Sequence, residues 1–215
     1  MVAELVGKPY DPASTRYAPD DPHFDPLIDL AGMWTTELAE RYLPIPGTPL
    51  VKYECLDGNL IMSPYEGSPN GYAVVELMAL MRSPAKEANR PVYPTLNIAL
   101  GPGPQRWIQP DINVLKQPIK GLTWVPVERL LMPIELVSPS SRRRDRIDKP
   151  ALCAEAGVPF FMWVEIDGED IEVELLQLRN GRYRPLVKVF SGERFETELP
   201  FPLAFDTAAL IEPEG

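Results

Sequence analysis

Apolar residues recur along this chain with two periods, and each period predicts its own elements. From Asn70 to Ala88, Tyr72, Ala73, Val75, Leu77, Leu80 and Met81 fall at helical spacing and predict an amphipathic helix, weakened near its end by Pro84. "TTELAERYL" (35–43) predicts a short helix capped by Thr35 or Thr36. In "LVKYECLDGNLIMS" two apolar runs flank Asp57-Gly58, a hairpin signal. "VYPTLNIAL" (92–100) and "RWIQPDINVLK" (106–116) read as strands joined by "GPGP", and "RLLMPIELVS" as a third, largely buried strand. "KPALCAEAGV" is helical and stops at Gly157, while Pro150 requires a helix start or a kink. Three further strands, "PFFMWVEI", "DIEVELLQLR" and "RYRPLVKVF", are split by Asp167-Gly168 and by Asn180-Gly181. The order predicts an α/β (α+β) domain around one central mixed sheet over residues 34–215, behind a Pro- and Asp-rich arm over residues 1–33.

Composition narrows the classes. A chain of 215 residues can bury a real core, and no stretch approaches the roughly 18 apolar residues of a membrane span. The N-terminus lacks the basic start and apolar centre of a signal peptide, so the expected compartment is the cytoplasm. Cys55 and Cys153 lack metal-ligand spacing and read as buried free thiols. The single histidine, His23, argues against a His-rich zinc site and a Ser-His-Asp triad, which leaves Ser138 and Ser140 weak as nucleophiles. A net charge of -10 opposes broad nonspecific nucleic-acid binding but leaves room for a local basic groove.

Two carboxylates interrupt apolar strands: Asp111 in "QPDINVL" and Glu135 in "PIELVS". Each alone could face solvent from a sheet with one wet face. On neighbouring strands and one face they would repel each other unless a cation sat between them, and hard oxygen ligands suit Mg²⁺. Directly after Glu135 the chain reads "SPSSRRRDRIDK". Alternating charge of this kind ordinarily makes a solvated helix face, with Asp145 and Asp148 damping the arginines. The other reading is that Arg142, Arg143, Arg144 and Arg146 grip phosphates, Ser140 or Ser141 caps the helix, and Lys149 offsets charge on a phosphoryl oxygen. Glu54, in "KYECLDGN", is a further carboxylate among apolar neighbours.

"YECLDGNLIMSP", "QPDINVL", "IELVSPSSRRRDRIDKPALCAEAGVPFFMWVE" and "IEVELLQL" occur in the order found in the Uma-two family. Those proteins, common in bacteria, are restriction-endonuclease-like members of the PD-(D/E)XK nuclease superfamily, and the resemblance covers residues 34–206. It implies a restriction-endonuclease-like core, a mixed sheet flanked by helices, and a metal-dependent endonuclease using Mg²⁺ or Mn²⁺ on nucleic acid, DNA before RNA, as a homodimer. By matching position, Asp111 corresponds to the family's "PD" aspartate, Glu135 to its strand glutamate, Glu54 to its early glutamate and Lys149 to the lysine after "R-D". Two departures stand out. Val137 occupies the place of the superfamily's E-x-K lysine, and Asn70-Gly71 stands where family members often carry a histidine. The alternative is a catalytically inactive nuclease-fold binding or protein-interaction module.

Overall fold

The structure is a computed structural model that describes residues 23–101 and 103–213; most of the expected N-terminal arm and part of the "GPGP" turn lie outside them. The chain divides into two compact units, one of residues 1–65 with 102–107 and one of residues 66–101 with 108–215.

In the first unit, α1 (Pro26–Asp29) is capped by the Asp25 side chain, and α2 (Thr36–Tyr42) by Thr35 Oγ1, which accepts from the Leu38 N–H. β1 (Val51–Leu56) and β2 (Asn59–Pro64) form the expected hairpin, with Asp57 and Gly58 both at positive φ, as a two-residue type I′ turn requires. The Trp107 Nε1–H donates to the Tyr53 carbonyl at 2.8 Å, fixing β5 (Trp107–Ile108) against β1. Cys55 is fully buried, and burial pushes its thiol up to about 12. Gly58 has a second constraint besides its φ of 81°. A Cβ there would lie 2.4 Å from the Gly32 carbonyl oxygen, a backbone atom that cannot swing away. Gly58→Ala is therefore expected to cost about 2 kcal/mol or more, read as a lowered denaturation midpoint with an unchanged m-value.

The second unit is built on a six-stranded mixed sheet. Its strands are β3 (Val92–Pro94), β6 (Ile112–Leu115), β8 (Leu130–Val137), β9 (Phe160–Asp167), β10 (Asp170–Arg179) and β11 (Arg182–Phe190), in the order β11-β10-β9-β8-β6-β3. Only β8 and β9 run parallel; the other neighbours are antiparallel. A parallel pair needs a crossover, and residues 138–159 supply it, packing first against β8 and then, through their helix, against β11. The type I′ turn at Asn180-Gly181 closes β10 onto β11 as expected.

The runs expected as single strands at 92–100 and 106–116 are each two. β3 pairs antiparallel with β6, whereas β4 (Asn97–Ala99) pairs parallel with β7 (Trp124–Pro126). Pro94 is the last residue of β3, and beyond it the Thr95 N–H still donates to the Asp111 carbonyl before the chain turns to β7. Pro110 lies between β5 and β6.

One sheet face is apolar and the other ionisable. Ile112, Val114, Ile134, Leu136, Met162, Val164, Val173 and Leu175 alternate onto the first. It is covered by α3 (Ser68–Glu87), through Ala73, Leu77, Met81 and Ala85 at four-residue spacing, all at most 1% exposed. Phe195 of β12 (Arg194–Thr197) and Phe205 of β13 (Leu203–Asp206) stack at 4.8 Å and join this core.

Candidate active site

The residues between those core positions point to the opposite face. β6 and β8 pair Ile112 with Ile134, so extending that register by one residue sets Asp111 opposite Glu135. Both alternate with core residues, which puts the two carboxylates on one face of the sheet as cross-strand neighbours. Asp111 also ends the ladder: its Oδ2 accepts the Leu136 N–H at 2.8 Å, and its carbonyl accepts the Thr95 N–H. Glu135 and Asp111 are 1% and 5% exposed, far from the solvated strand ends that the alternative reading requires.

Lys149 reaches this face from the crossover. Its Nζ lies 2.9 Å from Glu135 Oε1 and 2.9 Å from Asp145 Oδ1, with all three residues at most 3% exposed. The alternating charges of "RRRDRIDK" thus do not all face solvent. Local backbone geometry explains how. Residues Arg144–Asp148 form a π-helical turn, and α4 (Lys149–Glu155) continues it, with the Lys149 N–H donating to the Arg144 carbonyl. Pro150 has no N–H and its ring crowds the carbonyl four residues back, so the wider turn is the kink that Pro150 requires. Lys149 is thereby clamped between Asp145 and Glu135, while Arg146, one residue after Asp145, and Arg142, just before the turn, reach Glu165 of β9. Ser141 does not cap the helix with its side chain: its Oγ accepts from the Ser138 N–H at 3.0 Å and closes the turn after β8.

Of the four arginines, Arg144 is half-buried at the start of the π-helical turn, and the other three divide into two groups. Arg142 and Arg146 both bind Glu165 of β9, Arg146 at 2.7 Å, and the Arg146 guanidinium stacks 3.8 Å above the Trp163 ring. Glu165 and Trp163 stand beside Val137 and Glu135 in the β8–β9 register. Arg143 is 86% exposed, 3.9 Å from Asp148. Further along the face, Lys188 pairs with Glu172 and approaches Glu174, whose carboxyl burial pushes above its ordinary range, with Lys188 pulling the other way.

Asp111, Glu135 and Lys149 therefore come together in the second unit. Glu54 belongs to the first, as a 2% exposed carboxylate on β1. Two residues of the second unit escaped the sequence reading. Asp145 looked like a charge-damping surface acid, although an aspartate four residues before a lysine is the spacing of a helical ion pair. Asn70, at the place where the family often has histidine, is 8% exposed, and its Nδ2 donates to the Leu136 carbonyl at 3.3 Å and to Glu66 at 2.9 Å. Asn70 and Asp111 thereby hold the Leu136 main chain, one at its C=O and the other at its N–H.

Among the described residues no three His, Cys, Asp or Glu side chains converge as a metal-ligand set. Mg²⁺ does not need one: it keeps several waters and binds through one or two carboxylates plus substrate oxygens. Asp111 and Glu135 fit that requirement, and the carboxylates of the cluster outnumber its one ammonium. No described helix is long and apolar enough to cross a membrane.

Comparisons with known proteins agree with this fold. No curated protein matches the chain. A crystal structure described as a putative nuclease belonging to DUF820, from Anabaena variabilis ATCC 29413, superposes with a TM-score of 0.57 at 15% identity, covering 75% of this chain and 88% of that one. Residues 39–210 match the family described as "Uma2: Putative restriction endonuclease", a span that includes Asp111, Glu135 and Lys149, and the chain belongs to the Uma2 family.

Proposed function

We propose that this protein is a divalent-metal-dependent endonuclease that hydrolyses DNA phosphodiester bonds on the ionisable face of its six-stranded sheet. One observation carries the reading: buried Lys149 is clamped 2.9 Å from Glu135 on β8, and the buried Asp111 carboxylate, which follows opposite Glu135 when the β6–β8 register is extended by one residue, bonds the adjacent Leu136 N–H. Asp111 and Glu135 are the residues that would hold Mg²⁺ or Mn²⁺. When bound, such an ion activates water as a nucleophile and offsets charge on the phosphoryl oxygens.

The protein's own groups supply the rest. Lys149 presents a fixed positive charge where negative charge develops on the phosphate, and because Asp145 and Glu135 already orient it, little reorganisation is needed. Val137 faces the same side as Glu135 two residues on, but a lysine there would meet Glu165 and its two arginines. The crossover helix delivers the ammonium from above instead. Arg143, exposed and only loosely paired, is suited to the phosphodiester backbone, which positions a substrate without reading its sequence.

The test is cleavage of supercoiled plasmid, single-stranded DNA and RNA across a Mg²⁺ and Mn²⁺ titration, with wild type and Glu135→Gln. Nicking that needs the metal, stops with chelator and falls at least about a hundredfold in Glu135→Gln is expected. Equal cleavage by the variant would assign the activity to another site or a contaminant. No cleavage by wild type under any condition would favour the inactive binding module.

A further inference from the structure

The second unit holds another cation-lined feature, at the opposite end of α3 from Asp111. Asn70, in the first turn of α3, bonds the Leu136 carbonyl beside Asp111. α3 then runs for 20 residues, about 30 Å. At its far end lies an open cavity of about 550 Å³, lined by Arg82, Lys86 and Arg90 together with Met78, Val92 and Pro118.

Three features set this cavity apart from an ordinary surface groove. No carboxylate lines it, in a chain with 31 acidic and 21 basic residues. Arg82 and Lys86 stand one turn apart and make no ion pair among the described residues. Arg90 is anchored, its Nη1 donating to the Lys116 carbonyl at 2.6 Å, which leaves the rest of a planar five-donor fork for another acceptor. The negative end of the helix dipole does not oppose an anion strongly, because the N–H groups of Ala88, Asn89 and Arg90 cap the carbonyls of Pro84, Lys86 and Ala85.

Size and lining identify the class of occupant. The volume lies within the range of small-molecule pockets and well above that of a bare phosphate, and most of the lining is apolar with a few charged groups along one side. We infer that this cavity binds a small organic phosphate, its phosphate held by Arg82, Lys86 and Arg90 and its apolar body against Met78 and Val92. This site is separate from the proposed nuclease centre and does not depend on it.

The experiment is calorimetric titration of the full chain with adenosine monophosphate, adenosine and inorganic phosphate, and with a 20-base-pair duplex as competitor. Wild type should bind the monophosphate at least about tenfold more tightly than either fragment, since both the charge-assisted hydrogen bonds and the apolar contact contribute. Arg82→Glu with Lys86→Glu should remove that binding, and Asp111→Asn should leave it unchanged. Both exchanged residues are exposed, so the variant is expected to fold, as circular dichroism would show. The inference is overturned if the monophosphate binds no better than inorganic phosphate, or if the double variant binds it equally. It is also overturned if the double variant loses only duplex binding, which would make this face a nucleic-acid contact.

Discussion

Lys149→Met is expected to destabilise the protein by about 3–5 kcal/mol and to abolish cleavage, a combination that Glu135 and Asp145 together dictate. The substitution keeps most of the side-chain volume but leaves two carboxylates buried at 1% and 3% exposure without the ammonium between them. Most of the cost comes from those stranded charges and only a minor part from the lost pair itself. A second substitution separates the two. Glu135→Gln in the Lys149→Met background removes one stranded charge, so the double variant should recover stability relative to the single one, giving a coupling energy of about 1–3 kcal/mol in a double-mutant cycle. Cleavage should stay absent in both. Urea denaturation and plasmid nicking, measured side by side, check the pair of outcomes. If Lys149→Met were as stable as wild type, the ammonium would not be balancing the two acids.

That cluster also shows what could be read from sequence and what could not. Asp111 and Glu135 were legible as buried exceptions because a carboxylate before Ile112 or between Ile134 and Leu136 violates the strand's own apolar pattern. The hairpin turns at Asp57-Gly58 and Asn180-Gly181 were legible because the positive φ they need restricts the residue types. The partner of Lys149 was not. In "RRRDRIDK" every residue but one is charged, so no periodicity distinguishes a buried position from a solvated one, and the π-helical turn that rotates Asp145 inward depends on Pro150 meeting the β8–β9 crossover. Asn70 was hidden for a different reason: its partner is a backbone carbonyl 66 residues away, which no local spacing records. The split strands were hidden because each apolar run changes partner midway, β3 pairing with β6 but β4 with β7, and β5 with β1 but β6 with β3 and β8.

Asp111 offers the sharper separation of structure from chemistry, because under the proposed function its carboxylate would have two tasks that Asn and Ala divide. One oxygen accepts the Leu136 N–H at 2.8 Å inside the sheet. The charge, by contrast, is what a divalent cation requires. Asparagine keeps an acceptor of the same reach and loses the charge; alanine loses both and leaves the Leu136 N–H buried without its acceptor. Asp111→Asn should therefore stay close to wild type in stability, whereas Asp111→Ala should lose about 1–3 kcal/mol. Both should lose at least about a hundredfold in metal-dependent cleavage. The same divergence should appear without any substrate. Under the proposed function Mn²⁺ should stabilise the wild-type fold by mass action and raise its melting temperature, and both variants should lose that response although only one is destabilised. A wild-type melting temperature that ignores Mn²⁺, or an Asp111→Asn variant that keeps the metal response, would separate Asp111 from the cation and leave it a structural acceptor for Leu136.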